Sequence, residues 1–356
     1  MSMTPPFRSE RRAYSDADAG SKKQLLRLWW QNLSIRSKTT ALAIALGTIP
    51  VLSVGTLSYI LSNRAIIQEI ASIERTRAIE SQGLINVFMR DRLIDIKTLA
   101  SMEIFADADL LENSTSAERT EVIERFKEQS GDIYDSIGVF DVEGDVLAET
   151  SGVAKLDNHL NRSYIQAAKA SNGAVLSDPL LSASSGIFSV YAASVIKDED
   201  TGELVGYVRA RIPVEVLGDL LQRNFDAEGT EQGVYLLDSE GQVFLGPEGA
   251  YLKAVGSDGQ EMPPGSEDAE LTSFTVNEIF ENLNLEQSAA GEGSALHRNQ
   301  KLENNPKQLV AFSGPQNLEN LPDLGWGTLV SLDVSSALAP QKKLLFALVL
   351  GSIVAA

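Results

Sequence analysis

Residues 39–61, TTALAIALGTIPVLSVGTLSYIL, run for 23 consecutive positions without a charged side chain. A helix of about 20 apolar residues crosses the hydrocarbon layer and satisfies its backbone N–H and C=O groups internally, so this run reads as a membrane span. It starts near residue 39 and is full length, whereas a secretory signal peptide has a shorter apolar core and a small-residue cleavage site; a retained anchor is expected. Residues 1–38 carry eight Lys/Arg (Arg8, Arg11, Arg12, Lys22, Lys23, Arg27, Arg36, Lys38) against three acids (Glu10, Asp16, Asp18), a charge of +5 that leaves −24 on the rest of a chain whose net charge is −19. The positive-inside rule then keeps residues 1–38 in the cytoplasm and sends residues 62–341 out of it, in a protein of the plasma (inner) membrane. Trp29 and Trp30 fit interfacial anchors, or a short amphipathic helix.

The C-terminal stretch KKLLFALVLGSIVAA (342–356) turns apolar at Leu344 and is too short to span. It reads as the opening of a second transmembrane helix, hence a multi-pass protein, with a C-terminal core helix as the other reading. So acidic a remainder repels a phosphate backbone, which makes nucleic acid an unsuitable partner. The absence of cysteine excludes disulfides, thiol nucleophiles and Cys-based metal sites. The two histidines, His159 and His297, have no second His at ligand spacing, so no metal and no cofactor are expected, and plain surface or loop roles are assigned to both.

Residues 62–104 hold no proline and one glycine, Gly83. Ile66, Ile70, Ile73, Leu84, Val87 and Ile94 recur at spacings built from threes, fours and sevens, which predicts a stem helix of roughly 60 Å. Arg77, Glu80 and Asp91 break the stripe, so the helix is expected to pack partly on its own domain and partly on a second copy. A further helix is expected at 116–129 behind a cap at Ser114 to Ser116. From 133 the period becomes that of strands: IYDSIGVFD, DVLAET, GIFSVYAASVI and ELVGYVRARI, with a short helix at 162–170.

An internal repeat divides this region. VFDVEGDV (139–146) and LLDSEGQV (236–243) match at an offset of 97 residues, each a tight hairpin turn with Gly144 or Gly241 at positive φ. Asp141, Glu143, Asp238 and Glu240 lie in loops too short for a closed calcium shell. The second copy closes with QLVAFSGP (308–315) and GWGTLVSLDV (325–334). Its middle, 246–300, is rich in Gly, Pro, Asp, Glu and Asn and reads mostly as loop, which makes the second module the poorer host for a cavity. The expected fold is α+β: a long stem helix and two PAS-like antiparallel-sheet modules between transmembrane helices. The boundaries are 1–38, 39–61, 62–130 for stem and lead-in, 131–222 for the first module, 223–341 for the second, and 342–356.

This order of parts over about residues 62–341 resembles the double-Cache (dCache) sensor domains of bacterial receptors. LNRSYIQAA (160–168) and GELVGYVRARIPVEVL (202–217) look like that family's Arg-x-aromatic helix start and closing strand. SIRSKTTALAIALGTIPVLSVGTLSYIL is similar to methyl-accepting chemotaxis proteins of the cyanobacterial kind, which implies HAMP, GAF and signalling regions downstream. The resemblance implies a small-molecule ligand in the membrane-distal module, 131–222, and a homodimer. Arg162 matches the family arginine that grips a carboxylate, and Tyr164 the aromatic that walls the cavity. Ile165 stands where the amino-acid-binding branch has a second aromatic, and Arg211 where it has the Asp that takes the ammonium. With Arg209 and Arg211 on one face of a strand, a small organic anion is the expected ligand, and the candidate ligand-binding residues are Arg162, Tyr164, Tyr191, Arg211 and Asp178. Each residue has a plainer role open to it: Arg162 as a cap paired with Asp157 or Asp178, Arg211 as a solvated strand residue, Tyr164 and Tyr191 as core aromatics.

The sequence has no Ser/His/Asp set, metal cluster, phosphate-cradling glycine loop or nucleotide fingerprint, so no enzyme is expected. The leading function is the ligand-sensing region of a chemoreceptor. The alternatives are the sensor of a membrane histidine kinase or nucleotide cyclase, and a module that reads a periplasmic protein.

Overall fold

The computed structural model describes residues 34–151, 158–225, 232–247, 249–251, 253–255, 270–272, 274–283, 295–339, 341–343 and 345–346. The chain divides into two compact units, Met1–Ile66 with Leu338–Ala356, and Ile67–Ala337. The apolar run lies in helix α1 (Ile35–Ala100). In the first unit its large side chains, among them Leu42, Leu46, Ile49, Val54 and Leu57, are exposed. An 18-residue window there has mean hydropathy 1.8 and is 0% buried, the pattern of a helix apolar all round with no protein to pack on. Gln341 Nε2 donates to Ser62 Oγ at 3.0 Å in the same unit.

In the second unit, the buried line on α1 is Ala78, Ile85, Met89, Leu93, Ile96 and Leu99. Of the stripe the sequence suggests, Ile66, Ile70 and Leu84 are half-buried and Ile73, Val87 and Ile94 are exposed. A helix with apolar residues on two faces does not say which face its own sheet takes. Helix α2 (Ser116–Gln129) starts as expected, with Thr115 and Glu118 forming a capping box.

The first sheet is antiparallel and holds β1 (Ser136–Phe140), β2 (Val146–Glu149), β3 (Ala174–Leu176), β4 (Leu180–Leu181), β5 (Phe188–Lys197) and β6 (Leu204–Pro213) in the order β2-β1-β6-β5-β3, with β4 also on β5. Helix α3 (Ser163–Ser171) lies between β2 and β3 in sequence, and helix α4 (Val214–Phe225) follows β6. The second sheet holds β7 (Gln232–Leu237), β8 (Gln242–Gly246), β9 (Gly249–Ala250), β12 (Phe274–Thr275), β13 (Ala295–Arg298), β14 (Lys307–Ser313) and β15 (Gly327–Asp333), in the order β12-β8-β7-β15-β14-β13, with β9 on β8. A two-stranded piece, β10 (Lys253–Val255) with β11 (Glu270–Thr272), completes the strands described. The common part of both sheets is the same: an opening hairpin, then the last strand beside the first, then the strand before it.

The repeated turns agree atom by atom. Asp141 Oδ1 accepts from the N–H of Glu143 and Asp145 at 3.0 and 2.8 Å, and Asp238 Oδ1 accepts from Glu240 and Gln242 at 2.9 Å each. Gly144 and Gly241 have φ of +89° and +77°, a region that L side chains avoid. The aspartates close their own turns.

One face of the first sheet (Ile137, Val139, Val190, Ala192, Val208, Ala210, Ile212) joins Ile85, Met89, Ile96 and Leu99 of α1 in the main core. Burial of this kind of surface is worth ~25 cal/mol per Å² and is the chief term holding the module together. The second sheet meets α1 through Ala78 with Ala311 and Val330 and through polar groups. Thr328 Oγ1 donates to Gln82 Oε1 at 2.7 Å, and Asn86 Nδ2 donates to the Gln316 carbonyl at 3.0 Å.

Candidate functional site

Strand alternation sends every second residue of β6 away from the main core. Tyr207, Arg209 and Arg211 therefore share the opposite face. Cross-strand register extends this face into rows: Ser136, Arg211 and Tyr191; Glu149, Gly138, Arg209 and Ala193; Phe140, Tyr207 and Val195. Helix α3 covers the face with Tyr164, Ile165 and Ala168, all buried. The Tyr164 and Tyr191 rings are stacked, with centroids 4.4 Å apart.

Three arginines define the electrostatics. Arg209 is buried and paired with Glu149 at 2.9 Å, and donates to Ser136 Oγ at 2.7 Å. Arg211 is also buried, so it is no solvated strand residue. It pairs with Asp135 at 2.7 Å and donates to Ser182 Oγ and Ser184 Oγ, which ties the 182–187 loop to the sheet. Arg162 is the N-cap residue of α3, and its side chain makes no cap hydrogen bond. It is half-buried, and among the described residues its guanidinium has no ion-pair partner.

His159 is 2% exposed. It stacks on Phe140 at 4.1 Å between centroids and faces Tyr164, with Nδ1 3.2 Å from the hydroxyl. Burial, with Arg209 and Arg162 nearby, lowers its pKa to about 4, so the ring is neutral at pH 7. Burial pushes the Tyr164 hydroxyl up to about 12. Four buried polar atoms in this region, His159 Nε2, Tyr207 Oη, Arg209 Nε and Glu149 Oε2, have no hydrogen-bond partner among the described residues. The face thus joins stacked aromatic rings, three arginines against the two acids paired with Arg209 and Arg211, and buried polar atoms whose hydrogen-bonding capacity is not used among the described residues.

Four of the five candidates from the sequence, Arg162, Tyr164, Tyr191 and Arg211, lie at this face. The fifth, Asp178, is engaged with the second module: Trp326 Nε1 donates to its Oδ1 at 2.7 Å and Ser239 Oγ to its Oδ2 at 3.2 Å. Asp157, the other proposed partner of Arg162, is outside the described residues. The sequence missed His159 and the Arg209–Glu149 pair. An arginine inside an apolar strand was a signal for a buried acid, but which acid depends on the register of β2.

The second module also carries clefts, contrary to its ranking from sequence. One of about 540 Å³ is lined by Tyr235, Tyr251, Glu303, Gln308, Ser331 and Asp333, among others. A smaller one, of about 220 Å³, lies between α4 and β8, beside Gly218, Asp219 and Leu245.

No protein-family model matches the chain, and no curated protein matches it. Solved structures do. The ligand-binding domain of the Pseudomonas fluorescens chemoreceptor CtaA in complex with L-serine aligns with a TM-score of 0.51 at 16% identity, covering 75% of this chain and 98% of that one. The same domain with L-isoleucine gives a TM-score of 0.50 at 15% identity, covering 78% and 98%. The ligand-binding domain of the Pseudomonas aeruginosa PAO1 amino acid chemoreceptor PctB with L-Arg gives 0.50 at 13%, covering 78% and 94%. The chain therefore has the fold of the ligand-binding domains of bacterial chemoreceptors.

Proposed function

We propose that the chain is the ligand-sensing region of a transmembrane chemoreceptor and binds a small carboxylate at the Arg162 face of the first sheet. The observation that carries the ligand class is the contrast among the arginines. Arg209 and Arg211 already have Glu149 and Asp135, whereas Arg162, at the N-terminus of the helix that carries Tyr164, has no ion-pair partner among the described residues. A guanidinium offers a planar fork of donors that matches a carboxylate. Arg211 is a positioning residue in this scheme, fastening the 182–187 loop.

In this reading residues 39–61 cross the plasma membrane with 1–38 in the cytoplasm, 131–222 form the membrane-distal dCache module and 223–341 the proximal one, and 342–356 open a second span. The receptor is a homodimer without catalytic activity; exposed Ile73, Val87 and Ile94 on α1 offer a partner helix an apolar strip. The fold neighbours favour a chemoreceptor over a kinase or cyclase sensor. Ligand binding biases a two-state arrangement of α1, the helix that bears both the apolar run and the main-core residues.

A second reading is an amino acid ligand. The buried Glu149 Oε2, which has no hydrogen-bond partner among the described residues, supports it, since a carboxylate oxygen can take an ammonium, and so do the amino acids in the neighbouring structures. The test is thermal unfolding of the full chain in detergent with succinate or L-serine. A ligand at about 100 times its Kd adds roughly 2.7 kcal/mol. Stabilisation by succinate alone, lost in Arg162→Ala, is the expected result; stabilisation by serine alone, lost in Glu149→Gln, selects the second reading. A response that survives Arg162→Ala removes this face as the site.

A further inference from the structure

The 540 Å³ cleft of the second module occupies the place in its sheet that Arg211 fills in the first. Arg211 lies between Ser136 on β1 and Tyr191 on β5. The corresponding residue of β15 is Ser331, which lies between Gly233 on β7 and Val310 on β14. Replacing a guanidinium by a hydroxymethyl group, opposite a residue with no side chain, leaves space on that face. A Cβ on Gly233 would come within 2.9 Å of both Ser331 Oγ and Pro247 Cγ, so only glycine keeps the floor open.

The lining differs in sign from the first module. Glu303 and Asp333 supply carboxylates, and no Lys or Arg is among the described lining residues. Tyr235 and Tyr251 supply aromatic walls, in edge contact with centroids 5.9 Å apart. Ser331 is 1% exposed, and its Oγ has no hydrogen-bond partner among the described residues. A hydroxyl held this way in a cleft needs an acceptor or donor from whatever occupies it. The same aromatic cluster already holds one cation of the protein's own: the Lys301 ammonium stands 3.8 Å above the Phe274 ring, and Phe274 packs edge-on to Tyr251.

We infer that this cleft is a second ligand site and that it takes a small organic ammonium, held by the tyrosine faces and the Glu303 and Asp333 carboxylates with Ser331 as hydrogen-bond partner. Aromatic faces attract cations through the ring quadrupole, and the acids exclude the carboxylates proposed for the first sheet. A receptor so built would read two ligands of opposite charge on two copies of one scaffold.

The experiment is calorimetric titration of the full chain in detergent with choline, putrescine and succinate, on the wild type and on Ser331→Ala, Glu303→Gln, Tyr251→Ala and Arg162→Ala. At least one of the two amines is expected to bind the wild type. Ser331→Ala should weaken it about 3–10-fold, the effect of one hydrogen bond, and Tyr251→Ala roughly 5–30-fold. Glu303→Gln, at an exposed position where folding is not at stake, should also weaken it. Arg162→Ala should leave amine binding unchanged, which separates this site from the one on the first sheet. Failure of both amines to bind the wild type overturns the inference, as does amine binding that none of the three cleft variants weakens or that Arg162→Ala abolishes.

Discussion

The two sheets share a strand order and a hairpin turn yet carry opposite chemistry on the face away from α1. In the first, the middle row holds Gly138 opposite Arg209; in the second, the matching row holds Tyr235 opposite Leu329. The next row has Arg211 in one and Ser331 in the other. The first sheet therefore fills its face with guanidinium groups, each matched by an acid, and leaves one arginine at the rim. The second fills part of its face with aromatic rings and leaves a cleft edged by acids. Their contacts with α1 differ as well, apolar along Ile85 to Leu99 and partly polar around Gln82 and Asn86. A common backbone topology thus gives both sheets the same rows of positions, and two of those rows differ in charge and size.

The sharpest way to break this comparison is Arg209→Ala. It leaves Glu149 buried without its cation, and breaking such a pair costs about 3–5 kcal/mol. Chemical denaturation measures it. A loss below about 1 kcal/mol, the range of exposed pairs, would mean that the first sheet does not depend on its charge network.

His159 gives the next effect. Its folded pKa, about 4, lies below the ordinary 6.5, so the unfolded chain takes up the proton first. The stability it contributes is complete above pH 6.5 and is lost as pH falls toward 4. Allowing for partial solvent screening, the loss is roughly 2 kcal/mol. Melting curves across that window should show the slope diminished in His159→Gln; an unchanged slope would assign it to carboxylates elsewhere.

Asp178→Asn probes the link between the sheets. It weakens the acceptor of Trp326 Nε1 and Ser239 Oγ, an expected loss of about 1–2 kcal/mol for hydrogen bonds to a charged group. Trp326 is fully buried against Phe244, so its fluorescence should report any change in that contact. No shift in emission and no loss of stability would uncouple the two modules.

Much of this was legible beforehand, because it rests on local chemistry. The uncharged run lies in a helix, the strand segments fall where period-2 alternation places them, and the repeated Asp-x-Glu-Gly turns close through the aspartate and a glycine at positive φ. Tyr164 and Tyr191 stack on one face of the first sheet. The spacing of Ile73, Val87 and Ile94 marks an apolar strip on the long helix, but these residues are exposed and the helix turns another line, Ile85 to Leu99, to its own sheet.

The amino-acid sequence by itself determined the apolar span, the antiparallel character of both modules and their duplication, since each follows from residues close together in the chain. Only the tertiary structure decided that Arg209 meets Glu149, that Arg211 meets Asp135 and two loop serines, and that Asp178 accepts from Trp326. Those partners lie 60, 76 and 148 residues apart for the Glu149, Asp135 and Trp326 contacts. Which charge finds which across such separations is set by strand register and by the cost of leaving a charge buried alone, and neither can be read from neighbours in sequence.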